Sequence, residues 1–159
     1  MERRINVRGI ILNDEGHIFA VKHRDRHTGG ESEYWATIGG GLDPAESLHD
    51  GIVREFVEEI GITPIVGKSL FVHQFIAYHR DGKKTDNLEF FFHIANAADF
   101  AAEINLSETS HGHELVRVGF IDPRNNDLLP AFLQTVNLNE YVQTDKPVLF
   151  VNNLNESYR

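Results

Sequence analysis

The sequence predicts an α+β fold, on three observations. Apolar segments with strand-like alternation come in pairs joined by turn residues, at 5–23 and 65–95. One stretch, 47–60, has helical spacing of apolar residues. Strands and helices do not alternate as a repeating βαβ unit requires. At 159 residues, with no internal repeat, low-complexity tract or linker, 1–159 is expected to form a single domain.

In chain order, residues 5–12 read as a strand, 13–16 as a hairpin turn and 18–23 as the returning strand. Lys22 and Arg24 share one face of that second strand, and with Arg8 and Arg26 they are candidate phosphate contacts. Residues 24–33 contain His27, Gly29 and Gly30 and read as a loop able to cover a substrate. A short strand at 34–38 carries Trp35, whose default role is core but whose ring could stack on a base beside a site. Residues 65–79 are long and β-rich, Asp81 and Gly82 mark a hairpin, and 87–95 is the partner strand. Alternation puts Phe90 and Phe92 on one face and Phe91 and His93 on the other, which implies burial on both sides and a central strand. A polar segment, 97–112, precedes a strand at 115–121. His111 and His113 have a spacing a transition metal could use on a strand, although two histidines without further ligands read more simply as a polar loop. Residues 128–138 predict a helix with Pro130 in its first turn, and 146–151 predict a last strand on the sheet edge or on a second subunit, which makes a homodimer an open alternative.

Composition bounds the function. With 41% hydrophobic and 25% charged residues the chain is that of an ordinary soluble protein. The absence of cysteine excludes disulfides, thiolate metal sites and a cysteine nucleophile, and a cytoplasmic setting is expected. The apolar run near the N-terminus is short and broken by Asn6 and Arg8, and no stretch is long enough to span a membrane as a helix. A net charge of −9 argues against long nucleic acid as a partner. An acidic protein can still take phosphates when metal ions bridge the two.

Residues 40–62 carry the strongest signal. Gly39, Gly40 and Gly41 allow the main chain to approach a ligand closely. Ser47 is a good N-cap, Asp50 suits the first turn, Leu48, Ile52, Phe56 and Ile60 give the apolar stripe, and Gly61 is a natural stop. On this helix Glu55 lies one turn before Glu58 and Glu59. Three carboxylates near a helix C-terminus repel each other and oppose the helix dipole, and are expected to be exposed without metal. A hard divalent cation reverses that penalty, because Mg²⁺ bridges carboxylates to substrate phosphates. A string such as REFVEE alone is usually a solvated face.

The wider spacing decides between the two. Gly40, Glu46, Arg54, Glu55, Phe56, Glu58, Glu59, Gly61 and Ile62 occupy the defined places of G-x5-E-x7-R-E-U-x-E-E-x-G-U. The seven required identities would coincide by chance with a probability on the order of 10⁻⁷ or less. The chain therefore resembles the Nudix hydrolases. Ile38, Ala45 and Phe56 stand where relatives often have proline, glycine and an aliphatic residue, and none of the three removes a carboxylate.

The resemblance implies a Nudix fold, a mixed β-sheet between helices in an α/β/α sandwich. It also implies water attack on the pyrophosphate of a nucleoside diphosphate linked to a group X, with Mg²⁺ as cofactor or Mn²⁺ in its place. On the family's pattern Glu55, Glu58, Glu59 and the Gly39 carbonyl hold the metal, Arg54 orients Glu58 or Glu59, and Glu46 braces the loop. Gly40, Gly41, Arg8, Arg24, Trp35 and Tyr78 are the expected substrate contacts, and Glu108 or Glu114 the loop carboxylate that serves as base or extra ligand. A nucleoside triphosphate is the leading substrate. Dinucleoside polyphosphates, to which Tyr78 is a weak pointer, ADP-ribose and nucleotide sugars are the alternatives, and a non-catalytic nucleotide sensor is the alternative of another class.

Overall fold

The computed structural model describes residues 1–158 and has the expected α+β architecture. The strands are β1 (Glu2–Ile10), β2 (Ile18–His23), β3 (Trp35–Ala36), β4 (Gly39–Gly41), β5 (Val66–Tyr78), β6 (Lys84–Ile94), β7 (Leu115–Ile121), β8 (Leu128–Leu129) and β9 (Leu149–Tyr158). The helices are α1 (Leu48–Ile60) and the short α2 (Leu138–Gln143). Among the described residues no helix is long and apolar enough to cross a membrane.

The strands form two mixed sheets, ordered β4-β1-β6-β5-β9 and β7-β2-β3-β8. This differs from the expected hairpin at 5–23. The turn forms, with Asn13 and His17 joined through their backbones, but pairing stops at the Leu12–Ile18 bridge. Beyond it β1 runs parallel to β6 from Glu2 to Ile10, while β2 pairs with β3 and β7. The cause is burial. The first four residues of β2 are all buried, so this strand needs cover on both faces and sits inside its sheet, with β3 and β7 on its two edges.

Two apolar clusters provide that cover. Phe19 and Val21 of β2 join Val7, Ile38, Ile94 and Phe100 against Ile52, Phe56 and Ile60 of α1. Ile18 and Ala20 face the other way, with Ile10, Leu70, Phe71, Phe91, Leu133 and Leu138. Helical segments thus close both sides of the strands. β6 is central, as its alternation predicts, and Phe91 is fully buried on one face while Phe90 and Phe92 are partly buried on the other. The buried face of β6 turns polar toward its start, at Thr85, Asn87 and Glu89.

α1 starts and stops where the sequence indicates. Ser47 accepts from the Asp50 backbone N–H, and Gly61 takes the left-handed conformation at φ 73°. The Phe56 ring is accommodated because it lies over Gly9, where a Cβ would collide with it. The helix expected at 128–138 does not form. Pro130 favours an extended residue before it, so Leu128–Leu129 pair with β3 as β8; a 3₁₀ turn follows at Ala131–Gln134, and α2 begins only at the Asn137 cap. The last strand, β9, docks in parallel on the edge of β5.

Ala45, in the loop before α1, has φ 62°, a conformation that costs an L-residue about 1 kcal/mol. Glycine avoids that cost but adds freedom to the unfolded chain, worth about 0.4–1 kcal/mol. Ala45→Gly is therefore expected to leave stability unchanged or raise it by up to about 1 kcal/mol, read from the urea midpoint at constant m-value. A clear loss of stability would contradict this reading of the loop.

Candidate active site

The glycine turn and the acidic face of α1 are in direct contact. Gly39 has φ 143°, and a Cβ there would strike the Val7 carbonyl oxygen. A Cβ on Gly40 would lie 2.6 Å from the Glu55 carboxylate, and one on Gly51 would meet Leu42. The backbone of β4 therefore lies against the helix because no side chain keeps it off.

Arg54 organises the carboxylates. Its Nε and Nη2 donate to the two oxygens of Glu46 at 2.7 and 2.8 Å, and Nη2 also donates to the Gly41 carbonyl at 2.9 Å. Nη1 donates to Glu55 Oε1 at 3.0 Å and to Glu58 Oε2 at 3.2 Å. The family pattern had this arginine orienting Glu58 or Glu59; here it holds Glu55 and Glu58. The paired Arg54 hydrogen bonds, with the Asp43 backbone N–H, lower the pKa of Glu46 to about 2.

The carboxylates are not exposed, contrary to the sequence-based expectation. Glu59 is only 5% accessible, and the Glu55 and Glu58 side chains are 12% and 26% accessible. Burial raises the pKa of Glu55 against the pull of Arg54. Burial also pushes Glu59 up to about 8, aided by the charges of Glu55 and Glu114 and opposed by Arg8 and a Gly39 backbone hydrogen bond. Glu59 Oε2 is buried without a hydrogen-bond partner.

The loop before β7 closes the end of α1. Thr109 Oγ1 donates to the Glu59 carbonyl at 2.9 Å and the His111 N–H to the Glu58 carbonyl at 2.7 Å. His111 Nδ1 lies 3.0 Å from Glu58 Oε2. Sequence reasoning paired His111 with His113 and missed this contact, which spans a loop and leaves no trace in local spacing. Glu114 acts on Glu59 electrostatically and lines a cleft of about 570 Å³ with His23, Arg24, Arg26 and His113. Glu108 is exposed at the end of the turn Leu106–Glu108.

The other expected contacts are spread around this centre. Arg8 donates to Glu89 at 3.0 Å and to the carbonyls of Thr37 and Gly39 at 3.3 and 3.2 Å. Arg24 donates to the carbonyls of His113 and Gly29. With Arg26, Arg80, Tyr34 and Tyr78 it lines a second cleft, of about 640 Å³. Tyr78 is 47% exposed there, with Lys84 Nζ over its ring. Trp35 is 9% exposed in the second apolar cluster, with Lys22 Nζ 5.4 Å from its ring centre.

Among the described residues no three acidic or histidine side chains converge on one point as a finished metal cage. Arg54 accounts for that, since it draws Glu55 and Glu58 toward itself. The donor set nevertheless fits a hard cation: the ligands are all oxygens, Glu59 Oε2 is a buried acceptor without a donor, and the absence of a side chain on Gly40 lets the backbone of β4 sit directly on the Glu55 carboxylate.

A family model, the NUDIX domain, matches residues 2–136, and the chain belongs to that family. It is 35% identical over 60 residues to an RNA pyrophosphohydrolase of Vibrio cholerae, a match that covers 38% of this chain and 31% of that one. The chain thus matches about a third of that relative's length. The solution structure of the E. coli ORF135 protein superposes with a TM-score of 0.59 at 25% identity, over 84% of this chain and 85% of that one. A MutT protein of Bacillus halodurans gives 0.63 at 14% identity, over 98% and 93%.

The raised pKa of Glu59 means that the folded state favours its protonated form. That contribution is complete below the unfolded value near 4.5 and is lost as pH rises toward 8. Glu59→Gln, which mimics the protonated form, should gain melting temperature over metal-free wild type progressively between those pH values. A difference that is flat with pH would contradict the burial of this charge.

Proposed function

We propose that the protein is a divalent-metal-dependent pyrophosphohydrolase that cleaves the pyrophosphate linkage of a nucleotide, with nucleoside triphosphates as the leading substrates. The observation that carries this reading is the Arg54 fork: one guanidinium fixes Glu46, Glu55 and Glu58 beside the unpartnered buried oxygen of Glu59 and under the glycine turn. Glu55, Glu58, Glu59 and the Gly39 carbonyl would hold Mg²⁺. Bound there, Mg²⁺ or Mn²⁺ neutralises phosphate oxygens and lowers the pKa of the attacking water.

The chain's own residues do the rest. Arg54 fixes the direction of two carboxylates, and Glu46 holds Arg54 with both oxygens so that it cannot swing onto the substrate phosphates. Water forms a new bond to phosphorus, the bridging P–O bond breaks, and the leaving phosphate or pyrophosphate carries away the electron pair. Of the two loop carboxylates, Glu108 and Glu114, we assign the water's proton to Glu114, because it lines the adjoining cleft. The second cleft carries Arg24, Arg26 and Arg80 against Asp25 and Asp81, a small cationic excess that supports a polyphosphate over a neutral sugar as the group X. All the box carboxylates are present, which favours an enzyme over a non-catalytic sensor. The same reading makes a small nucleotide the partner and the cytosol the setting, and the outer edge of β9 is the face we assign to a second copy if the protein dimerises.

The test is product chromatography across nucleoside triphosphates, dinucleoside polyphosphates, ADP-ribose and nucleotide sugars with Mg²⁺ or Mn²⁺. Triphosphates should be turned over, and Glu58→Gln should lower kcat by at least about 10²-fold with its melting curve retained. Binding of nucleotides without cleavage of any of them would replace the enzyme with a sensor.

A further inference from the structure

A buried polar chain runs behind the site. It begins at β9, where Asn153 Oδ1 lies 2.9 Å from His73 Nε2. His73, fully buried on β5, places Nδ1 3.3 Å from Glu89 Oε1. Glu89, 4% accessible on β6, accepts from Arg8 Nε through its other oxygen at 3.0 Å. Arg8, on β1, then donates through Nη1 to the carbonyls of Thr37 and Gly39. The links cross the sheet in the strand order β9, β5, β6, β1, β4.

A carboxylate at this depth is costly unless it is fully partnered. Burial alone would raise the pKa of Glu89, but the Arg8 charge and the hydrogen bonds from His73 and Arg8 hold it below its ordinary value. The chain is thus ionic, and its partners fix one another. Its free end is what bears on function. Gly39 has no side chain and a backbone angle that favours glycine, so the direction of its carbonyl depends on what holds it from outside: the register of β4 on β1 and the Arg8 side chain. Arg8 occupies one lone pair of that oxygen and leaves the second available.

We propose that Asn153, His73, Glu89 and Arg8 are positioning residues that aim the Gly39 carbonyl at the bound cation, so that the C-terminal strand β9 sets the metal affinity of the site. The inference rests on the metal-site reading above. It assigns a role to a segment beyond residue 136, where the family match ends. It also makes Arg8 a support of the metal ligand, not a contact to substrate phosphate.

The test is Mn²⁺ binding to the free full-length protein, followed by the electron paramagnetic resonance signal of unbound Mn²⁺. The proteins are wild type, Arg8→Lys, Asn153→Leu, Asn153→Asp and Glu58→Gln, each checked for an intact melting transition. Lysine keeps the charge of Arg8 but cannot span Glu89 and Gly39 together. Arg8→Lys and Asn153→Leu should weaken Mn²⁺ about 10-fold, as loss of a partner behind a ligand does. Asn153→Asp, which keeps a polar partner beside His73 Nε2, should bind as wild type does. The KM for nucleotide at saturating metal should stay unchanged in all three. Wild-type Mn²⁺ affinity in both Arg8→Lys and Asn153→Leu, or an Arg8→Lys defect confined to nucleotide KM, overturns the proposal while leaving the metal site standing. A wild type that binds Mn²⁺ no better than Glu58→Gln overturns the site assignment itself. If Arg8→Lys does not fold, the comparison of Asn153→Leu with Asn153→Asp decides alone, because this side chain lies on an edge strand.

Discussion

The site depends on one guanidinium. Arg54 donates to both oxygens of Glu46, to the Gly41 carbonyl, to Glu55 and to Glu58, so it ties the glycine turn, the loop before α1 and the acidic face of α1 to one planar group. Lysine could not replace it, because a point charge on a flexible stem cannot meet five acceptors in fixed directions. Without this cation the helix would carry mutually repelling carboxylates at its unfavourable end. With it, Glu55 and Glu58 are held in fixed directions, and Glu59, which Arg54 does not touch, is pushed up furthest by burial, to about 8.

Much of this was legible in the sequence, for a local reason. A helix cap, an apolar stripe and an i, i+4 pair are set by short-range geometry, so the bounds of α1, the Ser47 cap, the Gly61 stop and the Arg54–Glu58 pair all appear where spacing puts them. The spacing of Gly40, Glu46 and Arg54 likewise reflects contacts within one strand–loop–helix unit. The β5–β6 hairpin and the central place of β6 follow from alternation and the Asp81–Gly82 turn.

What was not legible is long-range. Whether β1 and β2 stay paired depends on which other strands compete for their edges, and β6 and β7 win that competition. The segment at 128–138 has helical spacing, yet the constraint before Pro130 and the free edge of β3 turn its start into a strand. Exposure of the box glutamates was misjudged because a repelling cluster on an isolated helix is solvated, whereas here β4 and the loop before β7 cover it. Arg8, His73, Glu89 and Asn153 lie on four strands far apart in sequence, and no spacing rule joins them.

The central claim is that the carboxylate face of α1 and the Gly39 carbonyl form a metal site. Paramagnetic broadening of backbone amide resonances on adding substoichiometric Mn²⁺ tests it without reference to substrate. Broadening should be strongest for residues 39–41 and 55–59, with weaker effects in the loop before β7, and Mg²⁺ should reverse it. Broadening centred elsewhere, or spread evenly over the acidic surface, would contradict the claim.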